Sequence, residues 1–299
     1  MTTSRQGALL LLFRKLGFLL SSATHTKAPK SILRRVFRHL RGTVTVTNFD
    51  GDLTMDLQLA EHMQRRIFWM GYYNENIAHL LNTLLKPGMT VLDVGANIGE
   101  ISLLSAKRVG DQGKVYAFEP VTAIAQQLAR HVQMNQFKQI DVEYFALGDA
   151  IEDNRIIYTS CGQESSDENN GLGSLYGGEG ATPLQRIQMT TLDAWLQARP
   201  SIQRVDLIKI DIEGAELACL RGAKECLQRF KPSIIVEIQD FSAARAGYSP
   251  TDILDLLSNL GYTFHQIGPN GSLRSLTPAN LRDFQNVLCT PCDDGICRP

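Results

Sequence analysis

The chain is short of cysteine and of long apolar runs, and its first 41 residues contain no acidic residue at all. Each shortage excludes something. Six cysteines in 299 residues, Cys161, Cys219, Cys226, Cys289, Cys292 and Cys297, are too few and too unevenly spaced for a disulfide framework, so a reducing, cytoplasmic setting is expected. Cys289-x-x-Cys292 with Cys297 offers three zinc ligands, but no second CxxC or HxxxH supplies a fourth. The most apolar stretch, residues 7–20, is interrupted by Arg14 and Lys15 and falls short of the ~20 apolar residues of a spanning helix. Its part before Arg14 is also short for a secretory leader, although Ser21-Ser22-Ala23 follows. The missing acids leave nine Lys/Arg unbalanced in residues 1–41, against 21 basic and 31 acidic residues in the remainder. An acidic body argues against a nucleic-acid substrate, because phosphate binding requires a basic face on the working domain. For the basic leader two readings stand: peripheral contact with an anionic membrane surface, helped by Lys27, Lys30, Arg34, Arg35, Arg38 and Arg41, or a solvated or self-packed segment.

What is present is an ordinary globular enzyme composition, 43% hydrophobic and 20% charged. Residues 1–41 form the basic, partly apolar extension. Residues 42–86 open with alternating Val-Thr-Val-Thr, then Asp50-Gly51 and Leu-Thr-Met-Asp-Leu, a β-hairpin pattern. A helix follows, with Ile77, Leu80, Leu81, Leu84 and Leu85 on one face and Lys86-Pro87-Gly88 as its stop. From residue 87 to 290, short apolar strands at 90–94, 115–119, 142–146, 206–211, 233–238, 262–267 and 286–290 alternate with helical stretches. That alternation predicts a doubly wound, mostly parallel α/β sheet of seven strands. Residues 160–182, rich in Gly, Ser and Asn, read as a long loop that either closes over the acceptor as a lid or is a tolerated insertion. Residues 291–299 read as a free tail.

The strongest chemical signal is Thr90-Val-Leu-Asp93-Val-Gly95-Ala96-Asn97-Ile-Gly99, a buried strand running through a glycine turn into a helix. This is a nucleotide-site pattern. It lacks the G-x-G-x-x-G spacing that brings backbone against a pyrophosphate, because Asn97 stands in the middle glycine's place. A nucleoside cofactor without phosphates fits better, and S-adenosyl-L-methionine is one. Its cationic sulfonium and amino group call for carboxylates, and Asp93 ends the strand; Gly95 and Gly99 would let the cofactor approach the backbone. The next strand ends in Glu119-Pro120, with Glu119 twenty positions after Gly99, where a ribose-binding carboxylate belongs. Ala146 and Leu147 offer a small residue and an apolar one to flank adenine. The run Asp206-Leu-Ile-Lys209-Ile-Asp211-Ile-Glu213-Gly-Ala-Glu216 carries more charge than a buried strand normally tolerates without a use.

Taken together, these segments resemble the FkbM family of methyltransferases, within the class I S-adenosylmethionine-dependent superfamily. The resemblance covers roughly residues 43–268 and rests also on Thr191-Leu192-Asp193 and Ile235-Val-Glu237. It implies a Rossmann-like sheet whose last strand is antiparallel, a cofactor held over the carboxyl ends of the first strands, and methylation of a hydroxyl on a sugar, glycan or natural product. Gly71-Tyr72-Tyr73 is similar to the family's approach segment, but Asn74 stands where the family often has an acid, and both Asn74 and Glu75 are left outside the core site.

The expected cofactor set is therefore Asp93, Gly95, Ala96, Asn97, Gly99, Glu119, Pro120, Ala146, Leu147 and Asp211, with Lys209 and Asp211 orienting or deprotonating the acceptor. A neutral lysine would need a depressed pKa, which burial favours and neighbouring carboxylates oppose. No metal is assigned, although Asp211, Glu213 and Glu237 could supply oxygen ligands to magnesium, as in some catechol-type methyltransferases of similar fold. The competing functions are a nicotinamide-dependent oxidoreductase on the same sheet and a non-catalytic cofactor-binding scaffold.

Overall fold

The computed structural model describes residues 5–159, 173–178, 180–293 and 296–297. Two helices lead, α1 (Arg5–Thr24) and α2 (Ala28–Val36), followed by strands β1 (Thr43–Phe49) and β2 (Leu53–Gln58) and helices α3 (His62–Met70) and α4 (Glu75–Leu84). The hairpin β1–β2 forms as its turn chemistry dictates. Asp50 and Gly51 both take positive φ, 48° and 97°, the geometry whose twist matches that of the flanking strands.

The core then alternates strand and helix: β3 (Thr90–Val94), α5 (Glu100–Val109), β4 (Lys114–Phe118), α6 (Thr122–Met134) and β5 (Ile140–Glu143). Four short strands follow, broken by residues outside the described set: β6 (Ala146–Leu147), β7 (Glu152–Thr159), β8 (Gly173–Ser174) and β9 (Pro183–Thr190). The second half comprises α7 (Leu192–Gln197), β10 (Leu207–Ile210), α8 (Glu216–Arg221), α9 (Lys224–Phe230), β11 (Ser233–Gln239), α10 (Asp240–Arg245), α11 (Pro250–Asn259), β12 (Tyr262–Ile267), β13 (Leu273–Ser275), β14 (Phe284–Asp293) and β15 (Ile296–Cys297).

The central sheet runs β13-β12-β14-β11-β10-β3-β4-β5, with β15 added to β14. Strands β3, β4, β5, β10 and β11 are mutually parallel, while β14 slots antiparallel between β11 and β12. The expected Rossmann-like sheet of seven strands with an antiparallel last member is thus present, with β13 and β15 as short additions. Strand periodicity splits its side chains between two cores. Val91, Val115, Leu207 and Ile235 face the hairpin and helices α3 to α6; Leu92, Val94, Ile208, Ile210 and Val236 face α8, α9 and α11.

Three stretches differ from expectation. Residues 142–146 are not one strand: β5 ends at Glu143, and exposed Tyr144 begins a departure that delivers Ala146 and Leu147 to a separate sheet, ordered β6-β9-β7-β8. Glu143 is held back by Trp195 Nε1 and Arg199, at 3.1 and 2.9 Å. The last strand is longer than residues 286–290, because Pro291 still pairs with Tyr262 and Cys292 N donates to Gly261 O at 2.9 Å. The leader is a helical hairpin docked on the body. Arg14, which interrupts the apolar run in sequence, is buried, and its Nε donates to Phe68 O at 2.7 Å while a terminal nitrogen donates to Asn48 Oδ1 at 2.5 Å. Of the loop expected at residues 160–182, residues 160–172 and 179 lie outside the described set.

Candidate active site

The carboxyl ends of β3, β4, β10 and β11 surround a cleft of about 940 Å³, solvent at its mouth included. The turn after β3 forms one wall. Gly95 takes φ 78°, and a Cβ there would fall 1.9 Å from Asp211 O, so only glycine lets β3 and β10 finish side by side. Asn97 takes φ 49°, a left-handed conformation that asparagine tolerates; this is why it replaces a glycine without strain. Its backbone N donates to Glu119 Oε2 at 3.0 Å, and Val121 N donates to Glu119 Oε1 at 2.9 Å. Glu119 is thereby aimed from the end of β4 into the cleft. Burial pushes its carboxyl up to about 7, against the pull of those two N–H groups.

Phe145, Ala146, Leu147, Ile157 and Leu175 line a second, apolar wall. The strand β8 is pinned near it, since Ser174 Oγ donates to Glu213 O at 2.8 Å and Arg245 donates to Ser174 Oγ at 3.0 Å. The third wall is Met63, Tyr73 and Asn74. The Tyr73 and Asn74 backbone N–H groups donate to the two oxygens of Glu100, at 2.7 and 3.1 Å, and burial raises that carboxyl to about 7.

At the cleft floor, Lys209 Nζ stands 3.4 Å from Asp211 Oδ2 and 3.7 Å from Asp93 Oδ1, and donates to Gly95 O at 3.2 Å. Burial works against its charge, but Asp211, Asp93 and Glu237 outweigh it and hold the ammonium well above its ordinary pKa. Those carboxylates favour Lys209 as a cation that clamps the ends of β3 and β10, a state unsuited to taking a proton from an acceptor. Beyond it, carboxylate oxygens of Asp211, Glu213 and Glu237 lie within 4.8 Å of one another. Burial, then Asp211 and Glu213, drive the Glu237 carboxyl well above the ordinary range. Tyr73 is close to the same group, its hydroxyl raised to about 12 by burial and by Asp211, Glu237 and Glu213.

Of the residues expected from sequence, Gly95, Ala96, Asn97, Glu119, Pro120, Ala146, Leu147, Lys209 and Asp211 line the cleft. Asp93 and Gly99 stand behind it. Asp93 is fully buried, accepting from Ser102 Oγ at 2.5 Å. Gly99 caps α5 at φ 94°, where a Cβ would meet Leu128 Cδ1 at 2.2 Å, so helix packing, not a ligand, demands the glycine. Sequence reasoning missed Met63, Glu100, Phe145, Ile157 and Leu175; only Glu100, the first acid after the glycine turn, had a usable signal. Asp193 accepts from Glu225 N and Cys226 N at 3.0 and 2.9 Å, and Glu216 from Ile212 N, Gly214 N and Tyr248, so both are structural.

Residues 93–264 match the family model described as the Methyltransferase FkbM domain. The chain belongs to the FkbM methyltransferase family. Among curated relatives, Methyltransferase sdnD of Sordaria araneosa is 28% identical over 181 residues, 52% of this chain and 68% of that protein. Methyltransferase 1 of Beauveria bassiana is 27% identical over 164 residues, 50% of this chain and 64% of that protein. The AMB antimetabolite synthetase AmbE of Pseudomonas aeruginosa is 25% identical over 236 residues, 70% of this chain but 11% of the synthetase. The chain thus spans about a tenth of one of these relatives and about two thirds of the fungal ones. The solved structure of Methyltransferase FkbM from Methylobacillus flagellatus KT shares 19% identity over 76% of this chain and 53% of its own, with a TM-score of 0.41; the assignment rests on the family match instead.

S-adenosyl-L-methionine is the cofactor that goes with membership of this family, and the cleft suits it. Five acidic side chains, Glu100, Glu119, Asp211, Glu213 and Glu237, line it, and Lys209 is the only basic one among the described lining residues. That charge balance favours a cation and opposes a pyrophosphate. Glu119 would hold the ribose hydroxyls, the Gly95–Ala96–Asn97 backbone the amino-acid portion, and Phe145, Leu147 and Ile157 the adenine.

Proposed function

We propose that the protein methylates a hydroxyl on a sugar, glycan or natural product, using S-adenosyl-L-methionine as donor. The observation that carries this reading is the carboxylate group of Asp211, Glu213 and Glu237 beside Tyr73, an arrangement suited to orient a hydroxyl and receive its proton. The bound cofactor supplies an electrophilic methyl group. Asp211 and Glu237 position the acceptor oxygen, and Asp211, whose carboxylate Lys209 holds in place, takes its proton as the oxygen attacks. Positioning supplies most of the rate and the base a further factor of roughly 10²–10⁴. Family membership leaves the nicotinamide alternative without support.

The test is label transfer from methyl-labelled cofactor to fractionated hydroxyl-bearing acceptors, with the product's methylated atom located by NMR. Asp211→Asn and Glu237→Gln should each lower kcat about a hundredfold or more with cofactor affinity retained. A product methylated on nitrogen or carbon would overturn the hydroxyl reading. A second reading, a divalent cation held by the same three carboxylates, is favoured by their mutual distance of under 4.8 Å. Turnover that survives EDTA excludes it; turnover lost to EDTA and restored by Mg²⁺ assigns those carboxylates to the metal.

A further inference from the structure

Seven of the twelve large apolar side chains exposed among the described residues lie in the first 41 positions. Leu9, Leu12, Leu16, Leu19 and Leu20 stand 43–66% exposed along α1, and Ile32 and Val36 are 60% and 67% exposed on α2. The leucines follow helical spacing and form one stripe. The opposite stripe, Leu10, Arg14, Gly17 and Ser21, is buried against the body. Helix α1 is therefore docked through one face, and its other face carries an apolar stripe that the described residues of this chain leave uncovered. A contiguous exposed apolar surface of this kind marks an interaction site.

The charge of this segment specifies the partner. Lys15, Lys27, Arg35, Arg38 and Arg41, on these helices or within five residues of α2, are exposed as well, and the first 41 residues contain no carboxylate side chain. Exposed leucines together with exposed cations match the acyl region and headgroups of an anionic membrane. We propose that the outer face of α1 and α2 is a docking surface for an anionic lipid bilayer, with α1 lying along the interface. Helix α1 is long and apolar enough to cross a membrane by length and composition, but crossing would tear Arg14 from Phe68 O and Asn48 and carry its charge into hydrocarbon. Lying flat keeps the inner stripe docked and immerses the outer one.

The patch is joined to the active cleft. Lys30 Nζ donates to Met70 O at 3.1 Å, Lys27 pairs with Glu75, and the Phe18 ring lies 3.5 Å from where a Cβ on Gly71 would stand. These contacts bracket Tyr73 and Asn74, the cleft's third wall, so docking brings that wall close to the bilayer and to acceptors carried there.

The test uses the full-length chain and vesicles of phosphatidylcholine, alone or with phosphatidylglycerol, at low and high salt. Sedimentation with the anionic vesicles should be at least about tenfold stronger than with the neutral ones and should weaken severalfold in high salt. The variant Leu12→Gln/Leu16→Gln/Leu19→Gln and, separately, Arg35→Glu/Arg38→Glu should each lose about tenfold or more while melting temperature and cofactor affinity stay at the parent's values. A parent chain that does not sediment, or variants that sediment as well as it does, would overturn the proposal. So would a lipid-free dimer that the leucine variant abolishes, since a second copy would then be the occupant. Cofactor affinity is read in the same samples, so failure of docking is separable from failure of methyl transfer.

Discussion

At the scale of single residues, Glu119 and Lys209 show how the same physics assigns different work. The Glu119 carboxyl, pushed up to about 7 by burial, would accept well from two ribose hydroxyls only when ionised. Cofactor affinity should therefore rise severalfold between about pH 6 and pH 8, and Glu119→Ala should weaken binding roughly ten- to a hundredfold. Equilibrium titration at several pH values checks both, and an unchanged affinity removes Glu119 from the site. Lys209 is different: its ammonium neutralises Asp93, which is fully buried and raised by that burial. Lys209→Met would strand this carboxylate beside Ser102 and should lower unfolding free energy by about 3 kcal/mol, read by chemical denaturation. Full stability with lost turnover would instead make Lys209 a purely chemical group.

At the scale of elements, the leader is part of the fold's hydrogen-bond accounting. The last-turn carbonyls of a helix lack intrahelical partners and carry its negative end. In α3 those of Phe68 and Met70 accept from Arg14 and Lys30, so two cations from α1 and α2 cap the helix that precedes the cleft wall. Arg14→Met keeps most of the apolar stem and removes the cap. It should lower stability by about 2 kcal/mol, with a matching fall in melting temperature; an unchanged melting temperature would show that α1 is dispensable to α3.

At the scale of the whole molecule, buried titratable groups couple stability to pH. Burial pushes Glu100 and Glu119 to about 7 and Glu237 well above the ordinary range, so the folded chain holds protons that an unfolded glutamate, with a pKa of about 4.3, has released. Their stabilisation is complete at low pH and is lost as pH rises through about 7. His131 acts in the opposite sense. Buried and neutral, it accepts from Asp56 N at 3.0 Å and bonds Ile98 O through Nδ1 at 2.8 Å, its pKa held below the ordinary value by burial. Its contribution is lost as pH falls below about 6.5. The melting temperature of the cofactor-free protein should therefore fall between about pH 4.5 and pH 7.5, with His131 offsetting part of that fall below about pH 6.5. Scanning fluorimetry across that range tests it, and a steady rise to pH 8 would contradict the assigned shifts.

Local chemistry was legible in the residues alone. The Asp50–Gly51 turn, the alternating strands and the glycine turn after β3 each depend on backbone conformations or side-chain periods that neighbouring residues dictate, and the family motifs inherit that legibility. Hence most of the expected cofactor residues line the cleft. What only the tertiary structure decided involves partners distant in sequence. Asp93 and Gly99 read as ligand contacts until Lys209 and Leu128 arrive from other elements and claim them. Glu100 meets Tyr73 and Asn74 across 26 or more positions, and Arg14 reads as a break in an apolar run until Phe68 O, 54 residues away, becomes its partner. A sequence states which groups need burial or pairing; which partner satisfies each need is settled only when the sheet brings them together.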